Sequence, residues 1–214
     1  MLIETLKCKN PDCGLRFSQL SGVGRGRRCP RCRSDTFLVT SRSSAFEIPQ
    51  IEKAGKPTLE IVLDNLRSGW NVGSIFRTAS GAGVRKIHLC GITPTPEAMA
   101  VRKTSLGAEN HVAWQYYSDG YETCIALQKQ GYHVWALEGG ERARSLFDTS
   151  LKLPDPLALV LGNELTGIDA GIMDVCENVV YLPMMGDKKS LNVAIAGSIA
   201  MYWLRFGRID LAGG

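Results

Sequence analysis

The chain has 214 residues, 44% hydrophobic and 21% charged, which describes an ordinary globular protein with room for one full-sized domain and a small appendage. No uninterrupted apolar run approaches the roughly 18 residues of a membrane span, and the N-terminus "MLIETLKCKN" has no apolar h-region, so a cytoplasmic protein is expected rather than a membrane or secreted one. The net charge of +4 is unevenly placed: residues 1–56 hold 11 Lys/Arg against 5 Asp/Glu, a balance of +6, and the remaining 158 hold 14 against 16, a balance of −2.

Residues 1–42 read as a small zinc ribbon. "CKNPDC" and "CPRC" place Cys8, Cys13, Cys29 and Cys32 as Cys-x4-Cys, fifteen residues, then Cys-x2-Cys. Each short turn presents two thiolates on one side, and two such turns complete a tetrahedron around Zn²⁺. The local apolar residues, Leu6, Leu15, Phe17, Leu20, Phe37 and Leu38, are too few to fold unaided, so the metal would be structural. Disulfides are the competing reading, and the absent signal peptide argues against them. Arg25, Arg27, Arg28, Arg31 and Arg33 crowd into the same segment. Such a cluster suits a phosphate backbone, although charge alone leaves a solvated loop equally open. Residues 43–57 read as a linker: the stretch "SSAFEIPQIEKAGKP" is polar, of mixed charge, and carries Pro49, Gly55 and Pro57.

From 58 to 214 the pattern alternates between strands and helices. "TLEIVLDNL", "VRKIHLCGI", "HVAWQYY", "YHVWALEG", "PLALVLGNE" and "ENVVYLPM" read as strands. Three segments read as helices: "NVGSIFRTASGAG", "SDGYETCIALQKQG" capped by Ser118 or Asp119, and the small apolar run from Val193. This order predicts an α/β domain, a mostly parallel sheet with helices on both faces, whose ligands bind beyond the carboxyl ends of the strands. Cys90, Cys124 and Cys176 sit in apolar stretches and are expected as buried thiols. His88, His111 and His133 are joined by no motif and are assigned no chemistry.

Three patches fall at strand-to-loop boundaries: "DNLRSGWNVGSIFRTASGAG" (64–83), "LALVLGNELTGI" (157–168) and "LPMMGDKKSLNVAIAGSIAMYW" (182–203). In the last, Ser190 has a plain reading as the N-cap of the final helix. The order and content of these patches resemble the three motifs of the SPOUT-class RNA methyltransferases, SpoU/TrmH branch. The carriers are an Asn and an Arg in the first, Gly-x-Glu-x-x-Gly in the second, and Pro-Met-x-Gly followed by Ser-Leu-Asn in the third. "RKTSLGAEN" (102–110) looks like the segment these proteins carry between motifs. The likeness spans roughly residues 58–208.

The resemblance implies a C-terminal trefoil knot, a homodimer whose active site draws on both subunits, and S-adenosyl-L-methionine as methyl donor. The implied reaction is methyl transfer to a ribose 2′-hydroxyl of tRNA or rRNA, with no DNA or membrane partner. Carried over by position, Gly162, Leu182 and Leu191 would contact the methyl donor through backbone groups, with Met184 beside them, Gly186 shaping the turn and Pro183 entering it. Glu164 and Gly167 would shape the second loop. Arg77, Ser190 and Asn192, with Asn71 nearby, would form the catalytic set, Ser190 and Asn192 bonding the acceptor nucleotide or Arg77. A guanidinium stays protonated at neutral pH, so a phosphate clamp is a cheaper role for Arg77 than a base. A nucleotide-dependent oxidoreductase is disfavoured, since "GVGRGR" (22–27) lies in the cysteine segment and breaks the Gly-x-Gly-x-x-Gly pattern. A catalytically inactive RNA-binding protein on the same scaffold is the alternative, as is methylation of a base or small molecule. The four-cysteine ribbon is not the usual extension of this branch, which leaves the RNA open.

Overall fold

The computed structural model describes residues 2–22, 27–43 and 57–207. Arg25 and most of the expected linker (44–56) lie outside the described residues. The chain divides into two compact units, Met1–Glu52 and Lys53–Gly214.

The first unit is an antiparallel sheet of β1 (Leu2–Cys8), β2 (Arg16–Leu20) and β3 (Thr36–Ser43), in the order β2-β1-β3. Leu6 and Cys29 are fully buried, with Cys8 and Thr36 nearly so. The cysteine turns are tied by main-chain bonds, Cys8 N–H to Leu15 O at 2.8 Å and Cys29 N–H to Ser34 O at 2.8 Å.

The second unit carries β4 (Leu59–Asp64), α1 (Gly69–Ala82), β5 (Lys86–Cys90), α2 (Met99–Ser105), β6 (Ala113–Tyr117), α3 (Gly120–Lys129), β7 (His133–Leu137), β8 (Arg144–Ser145), β9 (Leu157–Leu161), α4 (Ala170–Val175), β10 (Asn178–Tyr181) and α5 (Val193–Phe206). The strands form one sheet in the order β6-β5-β4-β9-β7-β10-β8, and every pair in it is parallel. Both faces are covered, as a parallel sheet requires. Leu59, Ile61 and Leu63 of β4 share one core with Ile75 and Phe76 of α1 and Met201 and Leu204 of α5. Val62, one pleat over, packs with Cys124 and Leu127 of α3 and Ile172 of α4. Cys90, Cys124 and Cys176 are buried as expected, and burial pushes the Cys90 thiol up to about 12.

The six expected strands are all present, and β8, α2 and α4 are additions to the sequence reading. Those three elements run two to seven residues, too short to show a periodicity. Ser68 caps α1, accepting from Asn71 N–H, and Gly83 ends it at φ 67°, a left-handed turn that suits glycine. Asp119 caps α3. Gly73 allows α1 to press on α2, because a Cβ there would meet Thr104 Oγ1 at 2.0 Å and Val101 O at 2.4 Å.

One local expectation is corrected. Ser190 is not the cap of α5; Asn192 is, its Oδ1 accepting from Ala194 N–H at 2.9 Å and Ile195 N–H at 3.4 Å. A cap serves donors two or three residues ahead, and the helix begins at Val193, which leaves Ser190 a turn short and exposed.

Candidate active site and metal centre

A cleft of about 920 Å³ opens beyond the carboxyl ends of β7, β9 and β10. Its lining includes Gly162, Leu182, Met184, Gly186 and Leu191, together with Glu164, Ser190 and Asn192. Strand ends supply the first of these, and the loop from Leu182 to Asn192 supplies most of the rest. Gly162 is required by close approach: a Cβ would meet Ile168 N at 2.4 Å and Gly167 C at 2.5 Å, both main chain. Gly167 turns back at φ 73°, pairing its N–H and C=O with Asn163 at 3.0 Å. Gly186 is under no such demand, since a Cβ there would meet nothing within 4 Å.

Glu164 is the hub of a hydrogen-bond relay. Its carboxylate accepts from Arg67 N–H at 2.9 Å, Ser68 N–H at 3.1 Å and Asn71 Nδ2 at 2.8 Å. Partial burial works against its charge, but the Arg67 and Ser68 amides and the Asn71 side chain outweigh it and hold its carboxyl below the usual range. Asn71 then accepts from Asn192 Nδ2 at 3.1 Å, and Asn192 caps α5 with its other end. Asn71 is thus locked into one network with two residues 93 and 121 positions further along the chain, across the entries of α1 and α5. Asn192 spends its amide on Asn71 and on its own helix, and makes no bond to Arg77 within one chain. Arg77 is exposed on α1 and does not line the cleft.

The sequence reading missed the supports of this network. Asn163 donates to Asn65 O at 2.6 Å and accepts from the Leu165 and Thr166 amides, which fixes the loop that carries Glu164. Asp64, 2% exposed at the end of β4, accepts from Asn65 Nδ2 at 2.8 Å and Asp169 N–H at 3.0 Å; burial pushes its carboxyl up. Both lie inside quoted motifs, so their placement at strand ends was the available signal. Lys188 and Lys189, inside the third motif, and Glu138, outside all three, also line the cleft.

In the first unit the Sγ atoms of Cys8, Cys13, Cys29 and Cys32 lie within 4.8 Å of one another. Cys8 and Cys32 are 3.4 Å apart and Cys13 and Cys29 3.7 Å. A tetrahedron with bonds of about 2.3 Å has edges of about 3.8 Å, so four thiolates here fit one metal ion. The hydroxyl and amide of Ser34 pull the Cys32 thiol down to about 6 and favour its ligating form, while burial pushes the Cys8 thiol up to about 12.

The SpoU rRNA Methylase family model matches residues 58–202. The chain belongs to this family. Among its relatives, the 23S rRNA (guanosine-2′-O-)-methyltransferase RlmB of Xylella fastidiosa is 32% identical over 183 residues, covering 86% of this chain and 72% of that protein. RlmB of Xanthomonas axonopodis is 30% identical, covering 71% of this chain. The chain spans only 60% of the length of that relative. An AdoMet-bound rRNA methyltransferase from Sinorhizobium meliloti shares the fold at a TM-score of 0.65 and 24% identity, over 72% of this chain and 58% of that one. The resemblance read from the three motifs is therefore to the right family, and the fold is the SPOUT α/β fold expected from it. Among the described residues, no helix is long and apolar enough to cross a membrane.

Proposed function

We propose that the protein is an S-adenosyl-L-methionine-dependent RNA methyltransferase acting on a ribose 2′-hydroxyl of tRNA or rRNA. The observation that carries this reading is the cleft. Gly162, Leu182, Met184, Gly186 and Leu191 line one wall region, and Ser190 and Asn192 stand beside them at the entry of α5. Main-chain groups at Gly162, Leu182 and Leu191 would hold the adenosine moiety, with glycine at 162 letting the backbone approach. The bound sulfonium supplies a reactive methyl group, so the protein's task is to position the acceptor. Ser190 offers an unengaged hydroxyl to the acceptor ribose. The Glu164–Asn71–Asn192 relay holds the two helix entries in register, and Lys188 and Lys189 add cationic charge at the cleft for phosphate.

Arg77 would complete the site from a second copy of the chain. Trp70, 57% exposed on α1, and Ile195, Ile199 and Tyr202, on one side of α5, form an exposed apolar strip that supports a homodimer. The ribbon cysteines hold one structural zinc in this reading, and residues 1–42 serve as a basic RNA-binding module, with 58–214 as the knotted methyltransferase domain. RNA-directed chemistry supports a cytoplasmic location.

The test is transfer of isotopically labelled methyl to RNA, digested and read as nucleosides by mass spectrometry, with the Arg77→Lys variant in parallel. A 2′-O-methyl nucleoside is expected. Arg77→Lys keeps charge but loses the planar fork, so it should lose much of the rate at unchanged cofactor affinity. Label on a base refutes the ribose assignment. Cofactor and RNA binding with no transfer favours the inactive RNA-binding alternative. A lysine variant near full activity, its rate following one ionisation, would make Arg77 the base.

A further inference from the structure

We propose that the open face of the three-stranded ribbon sheet binds single-stranded RNA, with an unpaired base stacked on Phe37 of the edge strand β3 and the backbone running over Lys7 and Arg16, which continue the same row across β1 and β2. The choice of RNA as occupant rests on the methyltransferase reading above; the face itself is defined by strand register. Lys7 pairs with Arg16 on β2 and with Phe37 on β3, and Thr5 pairs with Ser18 and Thr40. Ile3 pairs with Leu20 and Arg42. Directly opposed residues put their side chains on the same face, and the 3.0 Å bond between Thr5 Oγ1 and Ser18 Oγ shows this pair doing so.

The face therefore holds three rungs: two cations in line with a phenyl ring on the edge strand, a row of hydroxyls, and two aliphatic side chains beside Arg42. No carboxylate lies on it. Glu4, the acidic residue of these strands, pairs with Gln19 and Ser41 on the opposite face, where the fully buried Leu6 also points. Along β2 the residues of this face, Arg16, Ser18 and Leu20, are exposed while Phe17 and Gln19 of the other face are half-buried, and Phe37 is 44% exposed, so this is the face the unit's own core leaves uncovered.

The chemistry selects the occupant. An exposed ring amid cations and hydroxyls, with no acid, matches a polyanion whose bases can stack. A duplex hides its base faces, so the ring would gain nothing from it. The three rungs span four residues of β1, about 13 Å, enough for on the order of two nucleotides on a sheet platform. Lys7, Arg16 and Phe37 form the rung next to the cysteine turns, because Cys8 follows Lys7 and β3 begins four residues after Cys32. The turn arginines Arg27, Arg28, Arg31 and Arg33 lie at that end of the chain path, where they extend the cationic track.

The experiment uses the full zinc-loaded chain and a fluorescein-labelled oligoadenylate, with an RNA duplex of equal length as comparison, read by anisotropy across a salt series. Phe37→Ala should weaken single-strand binding by about tenfold or more, with an unchanged salt slope and unchanged duplex binding. Phe37→Trp should retain wild-type affinity. Lys7→Ala and Arg16→Ala should each flatten the single-strand salt slope by about 0.7. If Phe37→Ala loses its zinc, Phe37→Leu keeps an apolar side chain without the ring and should show the same loss. Wild-type affinity in a zinc-loaded Phe37→Ala or Phe37→Leu protein overturns the proposal and leaves the face to a protein partner. Equal loss on single strand and duplex overturns the stacking claim, as does failure of the wild-type chain to bind the oligonucleotide. Calorimetric S-adenosylmethionine binding, measured on every variant, separates the two readings. Intact cofactor binding alongside a failed ribbon result sinks only the ribbon, and absent cofactor binding alongside the expected ribbon result sinks only the methyltransferase.

Discussion

Glu164→Gln isolates the hub of the relay. In the wild-type chain the carboxylate receives three donors, Arg67 N–H, Ser68 N–H and Asn71 Nδ2, at 2.8 to 3.1 Å. Gln keeps the shape but offers one acceptor oxygen and no charge, so one donor loses its partner and the others lose charge assistance. A hydrogen bond to a charged group contributes about 1.5–3 kcal/mol and a neutral one about 0.5–1.5. The site is solvent-facing and water recovers much of the difference, so we expect a net cost of about 1–2 kcal/mol. For a unit of this size that lowers Tm by roughly 2 to 8 °C. The pH dependence follows from the direction of the shift. The folded carboxyl lies below its ordinary value, so its contribution is complete above the unfolded carboxylate's pKa of about 4.3 and is lost as pH falls through the folded value. Thermal melts followed by tryptophan fluorescence are well suited, because Trp70, Trp114, Trp135 and Trp203 all lie in the second unit. The gap between wild type and variant should be full at pH 7 and close in acid. A gap that holds its size down to pH about 3.5, or none at pH 7, would refute the reasoning.

Gly162→Ala forces a Cβ onto main-chain atoms of Gly167 and Ile168, so calorimetry should find S-adenosylmethionine affinity down about tenfold or more. Gly186→Ala, with open space around it, should bind as wild type; equal losses would show that the close approach at Gly162 is not what matters. Metal analysis should find about one zinc per chain. Its chelation should change the far-ultraviolet spectrum of the ribbon strands and leave the tryptophan melt where it was, and a protein that is fully ordered without metal contradicts the structural role.

Much of this protein was legible in the sequence. The six expected strands of the second unit showed themselves because most are short apolar runs bounded by polar residues, and the alternation with helices required a parallel sheet. The cysteine pairs pointed to a four-thiolate zinc site, with disulfides as the rival, and their sulfurs do cluster within 4.8 Å of one another. The motif residues Gly162, Leu182, Met184, Gly186, Leu191, Glu164, Ser190 and Asn192 were named from the family resemblance that the three motifs carry, and one cleft gathers all eight. What the sequence could not express was pairing at a distance. Glu164 meets Asn71 across 93 positions and Asn192 meets Asn71 across 121, and only the order β4-β9-β7-β10 brings those loops together. The same holds for the cap of α5. Ser190 and Asn192 are both good capping residues by type, and the choice fell to the one whose oxygen reaches Ala194 and Ile195 once the loop leaves β10. In the ribbon, Phe37 read as core; the register, shifted by an irregularity between Thr5 and Leu6, sets it opposite Lys7 on the outer face while Leu6 takes the inside. Residue type sets which chemistry is available, and strand order and register decide which groups meet, because hydrogen bonds and stacking act over a few ångströms while the chain separates their partners by a hundred residues.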